Sequence, residues 1–205
     1  MYTYALSGTE SATLAGARPL GPVLTITAHG ATGLSADQIV LDYVFSPQHA
    51  EREILSYDAN GVSFSFEGGS VSFGALSQTS QADYVPPMLQ VPRALGAGTT
   101  RQGSTQARAS GGSSNRTEDW TVKVIGQETL TIAGSAVPTW VVAVDRRTRS
   151  DSADQVVRSR TYWYDPVRRL WVKLREQFQG TRSLLGLSFG FTAEFEAVLT
   201  GFTPQ

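Results

Sequence analysis

The sequence predicts a mainly β protein built on a single large curled antiparallel sheet, with few or no helices. Three observations predict it. Apolar residues recur at every second position through most of the 205 residues, and no long segment keeps the i, i+3, i+4 spacing of an amphipathic helix. β-branched and aromatic residues fill the alternating runs. Turn dipeptides such as Asn60-Gly61 and Asp165-Pro166 separate those runs.

Taken in order, Tyr2 to Leu6 reads as a first strand with Tyr2, Tyr4 and Leu6 on one face. Val23 to Ala28 follows a Pro-Leu-Gly-Pro entry. Gln38 to Phe45 sets Ile39, Leu41, Tyr43 and Phe45 on one face. Arg52 to Tyr57 is a weaker run, closed by Asn60-Gly61, whose residues tolerate the positive φ a two-residue hairpin turn requires. Val62, Phe64 and Phe66 alternate, and Gly68-Gly69 is expected to turn the chain into Val71 and Phe73. From Ala75 to Asp119 the alternation fades, and Pro86, Pro87 and Pro92 exclude a central strand. Gly96 to Asn115, rich in Gly, Ser, Thr and Gln, reads as a flexible excursion from a single domain spanning 1–205. Its composition cannot bury enough apolar area to offset the entropy of ordering it. The last third is the most regular. Trp120, Val122 and Val124 share a face, and Leu130 and Ile132 resume it after a bulge at Ile125-Gly126. Ala133-Gly134-Ser135 turns the chain into Trp140 to Val144. Val156 to Tyr164 pairs through Asp165-Pro166 with Leu170 to Phe178, and Phe189, Phe191, Phe195 and Leu199 line a final strand. The expected core includes Leu41, Tyr43, Val122, Val124, Val142, Val144, Val172, Leu174, Phe191 and Phe195.

Composition narrows function. With 40% apolar residues the chain is not a disordered tail, and no apolar run approaches the roughly 20 residues of a membrane-spanning helix. Cysteine is absent, which excludes disulfides, thiolate nucleophiles and cysteine zinc sites. A net charge of −1 gives no overall attraction to nucleic acid. These exclusions leave a soluble globular protein. Charge is unevenly spread all the same: residues 1–92 hold two arginines against eight acids, and residues 93–205 hold fifteen cations against ten acids. Ten of the seventeen cations cluster between Arg146 and Arg182; the simplest reading puts them on solvent-facing strand positions, and the sharper one is an anion-binding surface.

Catalytic motifs fail on their own requirements. Gly186-Leu187-Ser188-Phe189-Gly190 matches the G-x-S-x-G nucleophile elbow, which needs a following helix and a downstream histidine. Both histidines, His29 and His49, lie upstream. They read as exposed loop residues, and two histidines without spaced carboxylates or cysteines make no metal site. No cofactor motif occurs. An enzyme reading would rest on His49 with the local acids Asp37, Asp42, Glu51 and Glu53, and requires His49 in a cleft beside a carboxylate.

The stretches Trp120 to Gly134, Trp140 to Thr148 and Thr161 to Lys173 carry a strand–turn–return pattern followed by a Tyr-Trp-Tyr-Asp-Pro hairpin. In this they resemble bacterial cell-envelope domains of unknown function, themselves similar to the half-open β-barrel of Lol-type lipoprotein carriers. Thr99 and Thr100 follow Gly96 where that group has a tryptophan, and the Ala133-Gly134 turn lacks its preceding proline. The resemblance implies a half-open barrel, an extracytoplasmic envelope setting and no catalytic residue. It also implies a lipid or acyl chain held in an apolar concavity, for which Phe64, Phe66, Met88, Trp140, Trp163, Trp171, Phe189 and Phe191 are the candidate liners. The alternative is a structural or protein-interaction domain that meets an envelope partner through a sheet face or edge. Met1 leads directly into a strand without a secretory leader pattern. Either the protein is cytoplasmic or Met1 begins a trimmed chain, and the resemblance favours trimming.

Overall fold

The computed structural model describes residues 1–13, 15–110, 115–149, 154–184 and 187–203. The described residues form strands and turns, with no helix among them. The strands are β1 (Tyr2–Ala12), β2 (Gly16–Leu20), β3 (Val23–His29), β4 (Gln38–Ser46), β5 (His49–Tyr57), β6 (Gly61–Phe73) and β7 (Leu76–Pro92). They continue with β8 (Thr100–Ser110), β9 (Arg116–Ile132), β10 (Ser135–Thr148), β11 (Gln155–Asp165), β12 (Leu170–Leu184) and β13 (Leu187–Leu199).

All thirteen belong to one antiparallel sheet in which, apart from β2 and β3, each strand pairs with its sequence neighbours. β3 pairs with the first half of β1 and β2 with the second, so β2 and β3 lie end to end and fill one position. β13 then pairs with β1 from Tyr4↔Leu199 to Ala12↔Phe191, closing the sheet into a 12-strand barrel. The curl expected from the sequence is carried to closure, which removes the exposed edges of an open sheet.

Period-two alternation sends one set of side chains inward. On β4 these are Ile39, Leu41, Tyr43 and Phe45, as the sequence predicts. The expected core residues are buried except Phe191, which is only half-buried. The outward residues of β8 and β12 include Gln102, Ser104, Gln106 and Arg108, and Lys173, Arg175, Gln177 and Gln179. The outward positions of these two strands are polar, where a lipid-embedded barrel carries an apolar band.

Local signals behave as their chemistry demands at two turns. Between β5 and β6 the Asp58 carboxylate accepts the N–H groups of Asn60 and Gly61, and Gly61 has φ +136. At the β9–β10 turn Ala133 and Gly134 both have positive φ, +48 and +79. The Ile125-Gly126 bulge is present opposite Val141 and Val142.

Three expectations need correction. Gly68-Gly69 is not a turn: β6 runs through it to Phe73. Pro86, Pro87 and Pro92 lie inside β7: β7 pairs with β8 only over Gln81 to Val85, Pro86 and Pro87 fall where its register with β6 shifts and have no partner there, and Pro92 pairs with Gly61 of β6 alone. Proline is tolerated where one strand edge is unpaired. Finally, Thr100 to Ser110 is strand β8, with Thr105 and Ala107 buried, rather than an excursion. Its small residues answer to a neighbour: a Cβ on Gly103 would sit 2.5 Å from the Trp120 ring. Residues 111–114 of the expected excursion lie outside the described residues.

Candidate functional site

The barrel interior changes character along its axis. In the middle, apolar side chains such as Leu6, Leu55, Val144, Leu174 and Phe195 fill it. Toward the end where β4 turns into β5, the inward positions turn ionic. His49, Glu51 and Glu53 occupy them on β5, Glu67 on β6, Glu118 on β9, Arg146 on β10, Arg158 and Arg160 on β11, and Glu176 on β12.

These groups form one network. Arg158 donates to Glu176 at 2.7 Å, to Glu51 at 2.8 Å, and to Glu67. Arg160 bonds Glu176 and Glu53 and reaches Glu51 at 3.2 Å. Arg146 clasps Glu67 through one Nη at 2.9 and 2.7 Å and donates to the Tyr84 hydroxyl at 3.0 Å, which donates in turn to Glu67 at 2.9 Å. Arg116 donates to Glu118 at 2.6 Å. On the far side Arg18 of β2 donates to Glu10 at 2.6 Å. Glu10 also stands 2.6 Å from His49, a short ion pair whose N–H is poorly aligned on the carboxylate.

The charges balance. Six carboxylates (Glu10, Glu51, Glu53, Glu67, Glu118 and Glu176) meet five guanidiniums (Arg18, Arg116, Arg146, Arg158 and Arg160) and one imidazolium, His49. Burial would lower the His49 pKa, but Glu10 and Glu51 raise it to about 9, so it carries its proton at neutral pH. Burial would raise Glu67, but Arg146 and Arg158 pull it down to about 2. The oxygens of Glu51, Glu53 and Glu67 lie within 4.8 Å of one another, a spacing a cation could bridge. Arg158 and Arg160 already bridge them.

The position of His49 corrects the sequence reading. It is 4% exposed, stacked on Phe45 and flanked by two carboxylates, not a loop residue. The clustered cations are corrected in part: Arg146, Arg158 and Arg160 point into the barrel, whereas Arg168 and Arg175 stay outside. His29 is exposed, as expected, and rests 2.8 Å from Asp42.

Two cavities bracket this interior. At the opposite end, Tyr2, Tyr4, Ile26, Ile39, Leu41, Tyr57 and Trp171 line a mouth cavity of about 330 Å³, with Arg168 and Arg169 on its rim. The Tyr4 hydroxyl donates to the Trp171 carbonyl at 2.7 Å and fixes one wall. At the ionic end a smaller cavity of about 130 Å³ opens beyond the network, between Glu51, Glu67, Arg116, Arg146, Arg158, Phe178 and Phe191.

The structure does not gather the eight candidate liners. Trp171 lines the mouth cavity, whereas Phe189 and Phe191 line the cavity at the other end. Phe64 and Met88 are core, each 2% exposed. Phe66 sits on the other face of β6 from Glu67, its ring against Gly68. Trp163 lies on the outer wall, donating to Glu128 at 2.7 Å beneath Lys173, and Trp140 packs half-buried against the core. Gly186 of the G-x-S-x-G match lies outside the described residues, and Leu187 opens a strand, not a helix.

Fold and site together define a class: a closed antiparallel β-barrel whose interior is divided between an apolar mouth and a buried, charge-balanced layer. No family model matches the chain, and no curated protein matches it. Among solved structures it is similar to the hypothetical lipoprotein YmcC from Escherichia coli (K12). The two are 13% identical with a TM-score of 0.43, over 100% of this chain and 86% of that one.

Proposed function

We propose that the barrel is a binding protein for a single apolar chain, a lipid or fatty acid, held in the mouth cavity with an anionic head toward Arg168 and Arg169. The observation that carries this reading is the cavity itself. Its volume of about 330 Å³ is within the range of small-molecule sites, its wall is aromatic and aliphatic, and its charged groups, Arg168 and Arg169, sit at the rim. Arg168 is tied to Asp165 at 2.7 Å and stacks on Phe202, while no carboxylate among the described residues pairs with Arg169. A negatively charged head group supplies that partner.

Binding without chemistry is the companion reading. His49, the one histidine in a cleft, is held protonated between Glu10 and Glu51 and so is not a free base near neutral pH. An extracytoplasmic envelope setting fits an apolar-chain carrier, and the resemblance of the C-terminal strands to envelope domains supports it. Displacement of a fluorescent fatty acid tests the reading. Ala28, exposed on the cavity rim, is the position to fill: Ala28→Trp is expected to abolish binding without lowering the unfolding midpoint. Absence of binding by the unaltered protein would refute the proposal.

A further inference from the structure

Three chemically different walls dominate the cavity at the ionic end, which His49 and the buried Asp154 also line. Arg116, Arg146 and Arg158 stand on the adjacent strands β9, β10 and β11; Glu51 and Glu67 stand on β5 and β6 across the barrel; Phe178 and Phe191 stand on β12 and β13. The ion pairs between the first two walls make the floor. Within that floor Arg146, 4% exposed, keeps its Nε without a hydrogen-bond partner, a position that interiors seldom leave unfilled.

The space is also kept open by sequence. Gly69 sits at an inward register position, paired with Glu51 on one side and Ser80 on the other. Its φ lies outside the left-handed region, and a Cβ there would meet its nearest atoms at 3.7 Å, ordinary contact. Neither backbone strain nor a clash therefore requires glycine, although glycine weakens a strand interior. Gly180, inward between Val156 and Phe191, leaves room on the opposite side and carries the Phe178 ring over it. Any larger residue at 69 would occupy the cavity.

From these walls we infer that the cavity binds a small zwitterion of the α-amino-acid class with an apolar side chain. The carboxylate faces the arginine wall, the ammonium faces the glutamate wall, and the side chain lies on the two phenylalanines. The volume of about 130 Å³ equals the share of about four waters, the scale of such a molecule. The lining carries both signs, Glu51, Glu67 and Asp154 against His49, Arg116, Arg146 and Arg158, so each end of a zwitterion meets opposite charge, whereas a simple anion or cation engages one sign only.

Calorimetric titration with L-leucine, isoamylamine and isocaproate tests this. Leucine is expected to bind and to raise the unfolding midpoint, with each half-ligand at least about ten-fold weaker. Gly69→Val is expected to lose leucine binding while its unfolding midpoint is kept or raised. Equal binding of the three probes would overturn the zwitterion assignment. Absence of leucine binding by the unaltered protein would overturn the site itself, and a Gly69→Val protein that binds leucine normally would move it elsewhere. Should Gly69→Val fail to fold, Gly69→Ser carries the same comparison, and the leucine-induced rise of the unaltered protein's midpoint stands apart from either variant.

Discussion

At the scale of single residues, the ionic layer explains two properties that no surface charge would give. Glu176 is 1% exposed and holds both Arg158 and Arg160. Removing one partner from a buried network leaves uncompensated charge, so Glu176→Gln is expected to cost about 3–5 kcal/mol in urea unfolding. A cost under about 1 kcal/mol would place these groups in water. His49 sets a pH dependence. Its pKa is raised from the ordinary 6.5 to about 9 in the folded state. Its contribution is therefore complete below about pH 6.5 and is lost as pH rises through about 9, worth up to about 3 kcal/mol. The protein is expected to lose stability over that window, and His49→Gln to flatten the curve there. None of this was visible in the local pattern of β5. His49, Glu51 and Glu53 take positions that the alternation reserves for apolar side chains, and so the run Arg52 to Tyr57 looked weak.

At the scale of elements, β7 and β8 show where pattern reading fails and why. The prolines of β7 do interrupt pairing, but they do not end a strand that resumes its ladder with β6 from Met88 onward. The composition of β8 speaks of disorder only if its side chains must supply the burial. Here Trp120 of β9 supplies it, with its ring over Gly103. Gly103→Ala would press a methyl into that ring and is expected to cost about 1–3 kcal/mol, measured by chemical unfolding. Ser104→Ala, one residue away on the exposed face, is expected to stay within about 0.5 kcal/mol. Equal, small effects at both positions would mean that Trp120 does not depend on the narrow strand. The hairpins were legible because their turns carry their own chemistry, in the Asp58 side chain and in the positive φ of Gly61 and Gly134.

At the scale of the whole molecule, the division of charge between the two parts of the chain is visible in the sequence, but its meaning is not. Acids dominate residues 1–92 and cations dominate 93–205. The closed sheet brings Glu51, Glu53 and Glu67 of the first part against Arg146, Arg158 and Arg160 of the second. Their separation in sequence hid the pairing, since alternation says which face a residue takes but not which strand lies across the barrel. For the same reason the fold class was legible and the site was not: the aromatic candidates are large and apolar, yet Trp171 alone among the eight reaches the mouth cavity. The proposal that this mouth holds an apolar chain, above an ionic layer of paired charges, is open to direct test. Native mass spectrometry of the protein purified from its own host tests it most directly. A bound mass in the range of a fatty acid or lipid is expected, and it is expected to disappear in Ala28→Trp; a ligand-free spectrum, or an adduct that survives filling of the mouth, would refute the proposal.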